Sequence, residues 1–121
     1  MTDLPDFGLG YPGTPLRQKL VEAVLAGDKI ATAGLAGEEE PSVVGDRYAL
    51  VDAAGTARAV VEVTEARIVP ASEIDEQFAR DEGEGFETVK DWWAAHERFF
   101  ERPIDDDTLI EAVRFRVVER L

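Results

Sequence analysis

Residues 47–66, RYALVDAAGTARAVVEVTEA, decide the fold. An apolar run at 47–52 meets the turn Ala53-Ala54-Gly55-Thr56, and a second run follows it. In that second run Ala59, Val61 and Val63 alternate with Arg58, Glu62 and Thr64. A period of two is that of a half-buried strand, and two such runs joined across a glycine turn predict a β-hairpin. Val60 interrupts the polar side, so both faces of the second strand are partly covered. Residues 67–69 continue it past a bend until Pro70 ends it.

On the C-terminal side of the hairpin, Ser72-Glu73-Ile74-Asp75 reads as a capping box with Asp in place of Glu. It predicts a short helix near 73–81, broken by Gly83 and Gly85. Thr88 caps a stronger helix near 89–101, where Val89, Trp92, His96 and Phe99 form one apolar stripe that Trp93 and Phe100 broaden. Asp105, Asp106 and Asp107 make an acidic loop. Residues 109–118 alternate again, with Val113, Phe115 and Val117 opposite Arg114 and Arg116. On the N-terminal side, Thr14-Pro15 is an N-cap followed by proline at the first helical position. Leu16, Leu20 and Val24 repeat every four residues, and Gly27 supplies the stop, giving a helix over 15–26. Residues 29–35 are extended, 37–45 (GEEEPSVVG) form an acidic loop, and 1–13 form a covering loop rich in glycine and proline. The expectation is about three helices and five or six strands, with the strands grouped. That is a single α+β domain over 1–121, built on a small, mostly antiparallel sheet or β-barrel.

Composition narrows the chemistry. The 121 residues contain no cysteine, which excludes disulfides, zinc–thiolate and iron–sulfur sites and a cysteine nucleophile. No apolar run approaches the ~20 residues of a membrane helix, and the first ten residues lack the pattern of a signal peptide. A cytoplasmic location with no membrane contact is the expectation. Thirteen basic residues stand against 26 acidic ones, a net charge of −13. Such a chain repels a polyanion at long range, whereas a nucleoside or other small molecule meets no such penalty.

The residues that can carry chemistry are few. His96, the single histidine, lies on the apolar stripe and reads as a core histidine satisfied by hydrogen bonds, because a metal site needs more ligands than surround it. No metal and no cofactor is expected. Neither Ser42 nor Ser72 sits in a nucleophile-elbow sequence. Trp92 belongs to the centre of the stripe, which leaves Trp93 as the better ring for stacking on a base. Lys29, one of three lysines, follows a helix stop that can aim its ammonium into a cleft. In an ideal strand Lys29 and Thr32 point to opposite faces, so they cooperate only if the backbone bends between them. Glu82 lies in a glycine-flanked turn, where a carboxylate can enter a cleft and act as acid or base. No phosphate-binding glycine loop is present.

Taken in order, AGDKIATAGL, VGDRYALVD, AVVEVTE, FARDEGEGFETVKDWWAAHERFF and RFRVVE resemble the ASCH (activating-signal-cointegrator homology) domain, a branch of the PUA-like superfamily. The resemblance spans residues 7–118. Its most specific pieces are Gly27-x-Lys29-x-x-Thr32, Gly45-Asp46, Glu82-Gly83-Glu84-Gly85 and the run from Trp92 through His96 to Phe100. It implies a small β-barrel with flanking helices and a cleft that receives the Gly-x-Lys-x-x-Thr segment. It further implies either of two activities. Some bacterial members look like amidohydrolases acting on N4-acetylcytidine, with ribonuclease activity ascribed to others. Other members are taken to bind RNA in translation or transcription regulation.

By motif, Lys29 and Thr32 take two of the amidohydrolase roles and Glu82 the third, with Glu84 as the competing position. In that mechanism Thr32 attacks the amide carbonyl, Lys29 takes the hydroxyl proton, and Glu82 orients the lysine or protonates the leaving amine. One form of the motif continues Thr-x-Arg, and Gly34 stands there in this chain, which weighs against a phosphate grip. Arg47, Arg67 and Arg80 are the arginines that could replace it, with Arg47 and Arg80 taken as ligand-binding, and Tyr48 or Trp93 is the ring expected to stack on a base. The expected partner is a nucleoside, a nucleotide or single-stranded RNA. A third alternative is a protein-interaction module whose acidic surface suits a basic partner.

Overall fold

The computed structural model describes residues 3–121. The hairpin is present as β2 (Arg47–Val51) and β3 (Ala57–Pro70), with Tyr48 opposite Val61 and Leu50 opposite Ala59. β3 pairs along its length with β4 (Leu109–Arg120), and β4 pairs with β1 (Ala31–Leu35). The result is one antiparallel sheet in the order β1-β4-β3-β2. The expected five or six strands are therefore four among the described residues. β3 carries register shifts at Val60/Val61 and Val63/Glu65, and such bulges bend a strand and increase its twist without ending it. The long β3 and β4 curl the sheet into a half-barrel. On its outer edge, β2 receives the N-terminal segment: the Phe7 N–H donates to Ala49 O at 2.9 Å and the Ala49 N–H to Pro5 O at 2.8 Å.

The helices follow their caps. α1 (Pro15–Ala26) begins at Thr14, whose hydroxyl accepts from the Arg17 N–H, and stops at Gly27 with φ 85°, a conformation glycine adopts without penalty. The segment after Pro70 departs from expectation. Ser72 caps nothing; Ala71–Glu73 form a 3-10 turn, and α2 (Glu76–Asp81) begins at Asp75, whose carboxylate accepts the Phe78 N–H. The reason lies in pairing: the Ala71 N–H donates to Thr108 O and the Ser72 N–H to Asp106 O. These bonds hold 71–72 to the loop ahead of β4. α3 (Val89–Phe100) starts with a complete capping box between Thr88 and Asp91.

Strand parity gives the sheet two apolar faces. Phe115 and Val117 of β4 pack with Leu20, Val21 and Val24 of α1 and with Phe7 and Leu9 of the N-terminal segment. Ile110 and Ala112 have the opposite parity and pack with Phe78 of α2, Trp92 of α3 and Ile74. Arg17, 2% exposed, ties the N-terminal segment to α1. Its guanidinium donates to both oxygens of Asp6 at 3.0 Å and to the carbonyls of Leu9, Gly10 and Val51. The covering loop predicted for the N-terminal residues is thus, over its described part, a strap fastened from inside.

Candidate functional site

The helix stop at Gly27 places Lys29. The Asp28 and Lys29 N–H groups both donate to Ala23 O, so the chain turns sharply off α1 and becomes a strand only at Ala31. Lys29 therefore lies ahead of the strand, and the alternation that would have separated it from Thr32 does not apply. Its side chain is 1% exposed. Nζ donates to Ala31 O at 2.9 Å, to Glu82 O at 3.1 Å and to Glu84 Oε2 at 3.2 Å, and lies 3.6 Å from Glu82 Oε1. Three acceptors around three donors describe an ammonium ion.

Gly83 brings the two glutamates there. It has φ +68°, and a Cβ at this position would stand 2.6 Å from the Asp28 carbonyl carbon and 2.7 Å from Lys29 Cα. Only glycine lets the turn press this closely on the Asp28-Lys29 backbone. The contact is continued by the Ile30 N–H donating to Asp81 O at 2.9 Å. Glu82, the C-cap of α2, is 1% exposed. Its Oε2 accepts the Trp92 indole N–H and lies 3.4 Å from His96 Nε2. His96 Nδ1 lies 2.8 Å from Trp92 O, and the imidazole stacks on the Trp92 ring with centroids 4.2 Å apart. Burial by itself would push the His96 pKa down. The hydrogen bond and charge of Glu82, the Trp92 carbonyl and the charge of Glu84 outweigh it and hold the pKa above the ordinary 6.5.

These groups line a cavity of about 270 Å³ whose apolar wall includes Leu16, Phe86 and Phe99. Lys29, Thr32, Glu82, Glu84 and His96 all face it, with Lys19 of α1 among its lining residues. Thr32 is half-buried on β1. Thr32, Ala33, Gly8 and Phe99 also line a second cavity of about 340 Å³, so the two adjoin. The second is walled by Tyr48 and by the acidic loop Glu38, Glu39 and Glu40.

Of the residues singled out from sequence, Lys29, Thr32 and Glu82 come together at one cavity, while Tyr48 faces only the neighbouring one. The other three stand outside both. Arg47 is exposed on β2 and pairs with Glu62 at 3.5 Å, because the two are register partners on adjacent strands. Arg80 points to solvent from α2. Trp93 is half-buried, donates its indole N–H to Ile104 O at 3.1 Å and packs on the α2–α3 core, away from both cavities. Glu84 joins Glu82 on Lys29 instead of competing with it. Trp92 and His96 also belong to the site. Their spacing of four put them on one helix face, yet nothing in the sequence said that Glu82 would meet that face.

The family model of the ASCH domain matches residues 10–119. Among solved structures, the ASCH domain from Lactobacillus crispatus JV V101 superposes with a TM-score of 0.73 at 26% identity, covering 84% of this chain and 72% of that one. Protein EF3133 from Enterococcus faecalis V583 superposes with a TM-score of 0.76 at 25% identity, covering 100% of this chain and 84% of that one. Hypothetical protein PH0355 shares the fold alone, with a TM-score of 0.59 at 16% identity over 84% of this chain and 93% of that one. No curated protein matches. The curled four-stranded sheet, its three helices and a match over almost the whole sequence lead to one assignment: the chain belongs to the ASCH domain family.

Proposed function

We propose that the cavity is a hydrolytic site for a small acylated nucleobase or nucleoside, with Thr32 as nucleophile and Lys29 and Glu82 as the acid–base pair. The observation that carries this is that the half-buried Thr32 lines the same cavity as the buried Lys29–Glu82 pair. Lys29 passes a proton to Glu82 Oε1 and becomes the neutral amine. That amine takes the Thr32 hydroxyl proton as the oxygen bonds to the amide carbonyl carbon. Glu82, now the acid, gives its proton to the leaving nitrogen as the C–N bond breaks. Lys29 is then again an ammonium and Glu82 a carboxylate. Water hydrolyses the acyl-threonine and returns a proton to the hydroxyl.

Size and charge favour a nucleoside over RNA. The cavity lies just below the roughly 300–1,000 Å³ usual for small-molecule sites, and its neighbour is walled by Glu38, Glu39 and Glu40, which repel phosphate. Purified protein incubated with N4-acetylcytidine and analysed by chromatography tests the proposal. Conversion to cytidine is expected, at a rate nearly independent of salt. No conversion by folded protein, together with binding of a short single-stranded RNA that weakens steeply with salt, would replace the hydrolase with a non-catalytic RNA-binding module.

A further inference from the structure

The mechanism above makes no use of His96, although the imidazole lines the cavity and touches Glu82. Its proton state follows from its neighbours. Trp92 O can only accept, so His96 Nδ1, 2.8 Å away, carries a hydrogen. The ring cannot turn over without losing that bond, and it is wedged between the Trp92 face and the edges of Phe86 and Phe100. Nε2 is therefore fixed at 3.4 Å from Glu82 Oε2. A neutral imidazole would set the Nε2 lone pair against a carboxylate oxygen. The contact is attractive only when one proton lies between the two, on Nε2 or on Oε2.

Charge points the same way. The ionisable groups facing His96 are Glu82 and Glu84 from the turn after α2 and, beyond them, Lys29 from the loop before β1, with Lys19 of α1 at the cavity wall. Around the buried Lys29 ammonium there are two carboxylates and one ammonium. A proton on the Glu82–His96 pair brings that group to neutrality. Without it, the group keeps a net negative charge, and its Glu82 carboxylate is 1% exposed.

We propose that His96 is a positioning residue of this site: the proton on its Nε2, directed at Glu82 Oε2, fixes the Glu82 carboxylate for acid–base work, and loss of that proton turns the site off. The functional half of this proposal rests on the hydrolase reading; the proton itself does not. Above the pH at which the pair loses its proton, Glu82 Oε2 keeps only the Trp92 N–H and is repelled by the imidazole lone pair. The carboxylate then moves off Lys29, and turnover falls.

Because His96 is the sole histidine in the chain, the imidazole nitrogens of ¹⁵N-labelled protein can be read without assignment ambiguity. In wild-type protein Nδ1 should carry its proton throughout, and Nε2 should lose its own only above the ordinary histidine midpoint. In Glu82→Gln that midpoint should drop. The log of kcat/KM for the acylated nucleoside should fall with single-proton slope above the wild-type midpoint, and His96→Gln, which offers Glu82 an amide N–H that does not titrate, should abolish that limb while retaining turnover. A bare Nδ1, or a wild-type midpoint at or below the ordinary value, overturns the proton assignment even if Glu82→Gln does not fold. A pH profile flat across the midpoint, or one unchanged in His96→Gln, overturns the positioning role. If the protein hydrolyses nothing at any pH, the hydrolase reading and the positioning role fail together, while the titration alone still decides the proton.

Discussion

The Lys29 ammonium and the Glu82 carboxylate are each 1% exposed and face each other at 3.6 Å, from positions 53 residues apart in the chain. Two buried charges so placed depend on one another. Removing one partner from a buried pair typically costs about 3–5 kcal/mol, because the survivor is left without compensation. Lys29→Met and Glu82→Gln should each lose stability of that order in urea denaturation. The double variant should lose clearly less than the two losses combined; simple additivity would show that the pair is not coupled.

Gly83→Ala should be among the most damaging single-methyl changes in the chain. The new Cβ would collide with the Asp28-Lys29 backbone, so the turn carrying Glu82 and Glu84 would have to withdraw from Lys29. Gly85→Ala is the matched control. Its φ is +91° but its surroundings are open, so only backbone strain of about 1–2 kcal/mol applies. Thermal unfolding should show a much larger drop for Gly83→Ala; equal drops would mean that the close approach is unimportant.

The elevated pKa of His96 makes stability depend on pH with a definite sign. The folded protein holds the proton more tightly than the unfolded chain. The stabilisation is therefore fully present below the unfolded value of about 6.5 and is lost as pH rises through the folded value. Urea midpoints measured upward from about pH 6 should decline, and His96→Gln should flatten that decline. A wild-type midpoint that rises over this interval would contradict the shift.

Arg17→Met removes the fastening of the N-terminal strap that forms part of the cavity wall. Charge-assisted hydrogen bonds are each worth about 1.5–3 kcal/mol, but Asp6 is 42% exposed and regains water, so the net loss should be about 1–3 kcal/mol. Amide hydrogen exchange at Phe7 and Leu9 should quicken while that of β3 and β4 stays slow. Unchanged exchange at Phe7 would show that the strap is held by its apolar contacts alone.

The sequence made the scaffold legible because its signals are local. Alternation at 57–66 marked β3, Thr14-Pro15 with Gly27 marked α1, and Thr88 marked α3. The expected five or six strands exceeded the four runs that alternation itself marked, at 29–35, 47–52, 57–69 and 109–118, and those four runs are the four strands found. Ser72 failed as a cap because its N–H is taken by Asp106, a long-range bond with no local trace. In the site, the family motif located Lys29, Thr32 and Glu82. A helical wheel shows that Trp92 and His96 share an apolar face but not that Glu82 meets that face. Arg47 and Arg80 were offered in place of the arginine that Gly34 replaces, and where a cation ends up depends on register and topology, which local sequence does not carry.

The most direct test of the catalytic claim is the intact mass of the protein after brief mixing with N4-acetylcytidine, run beside Thr32→Ala. Thr32 is half-buried beside a cavity, so this variant should fold normally. Wild-type protein should carry an acetyl adduct that maps to Thr32, and Thr32→Ala should give neither adduct nor cytidine. Cytidine released at an undiminished rate by Thr32→Ala would contradict the claim.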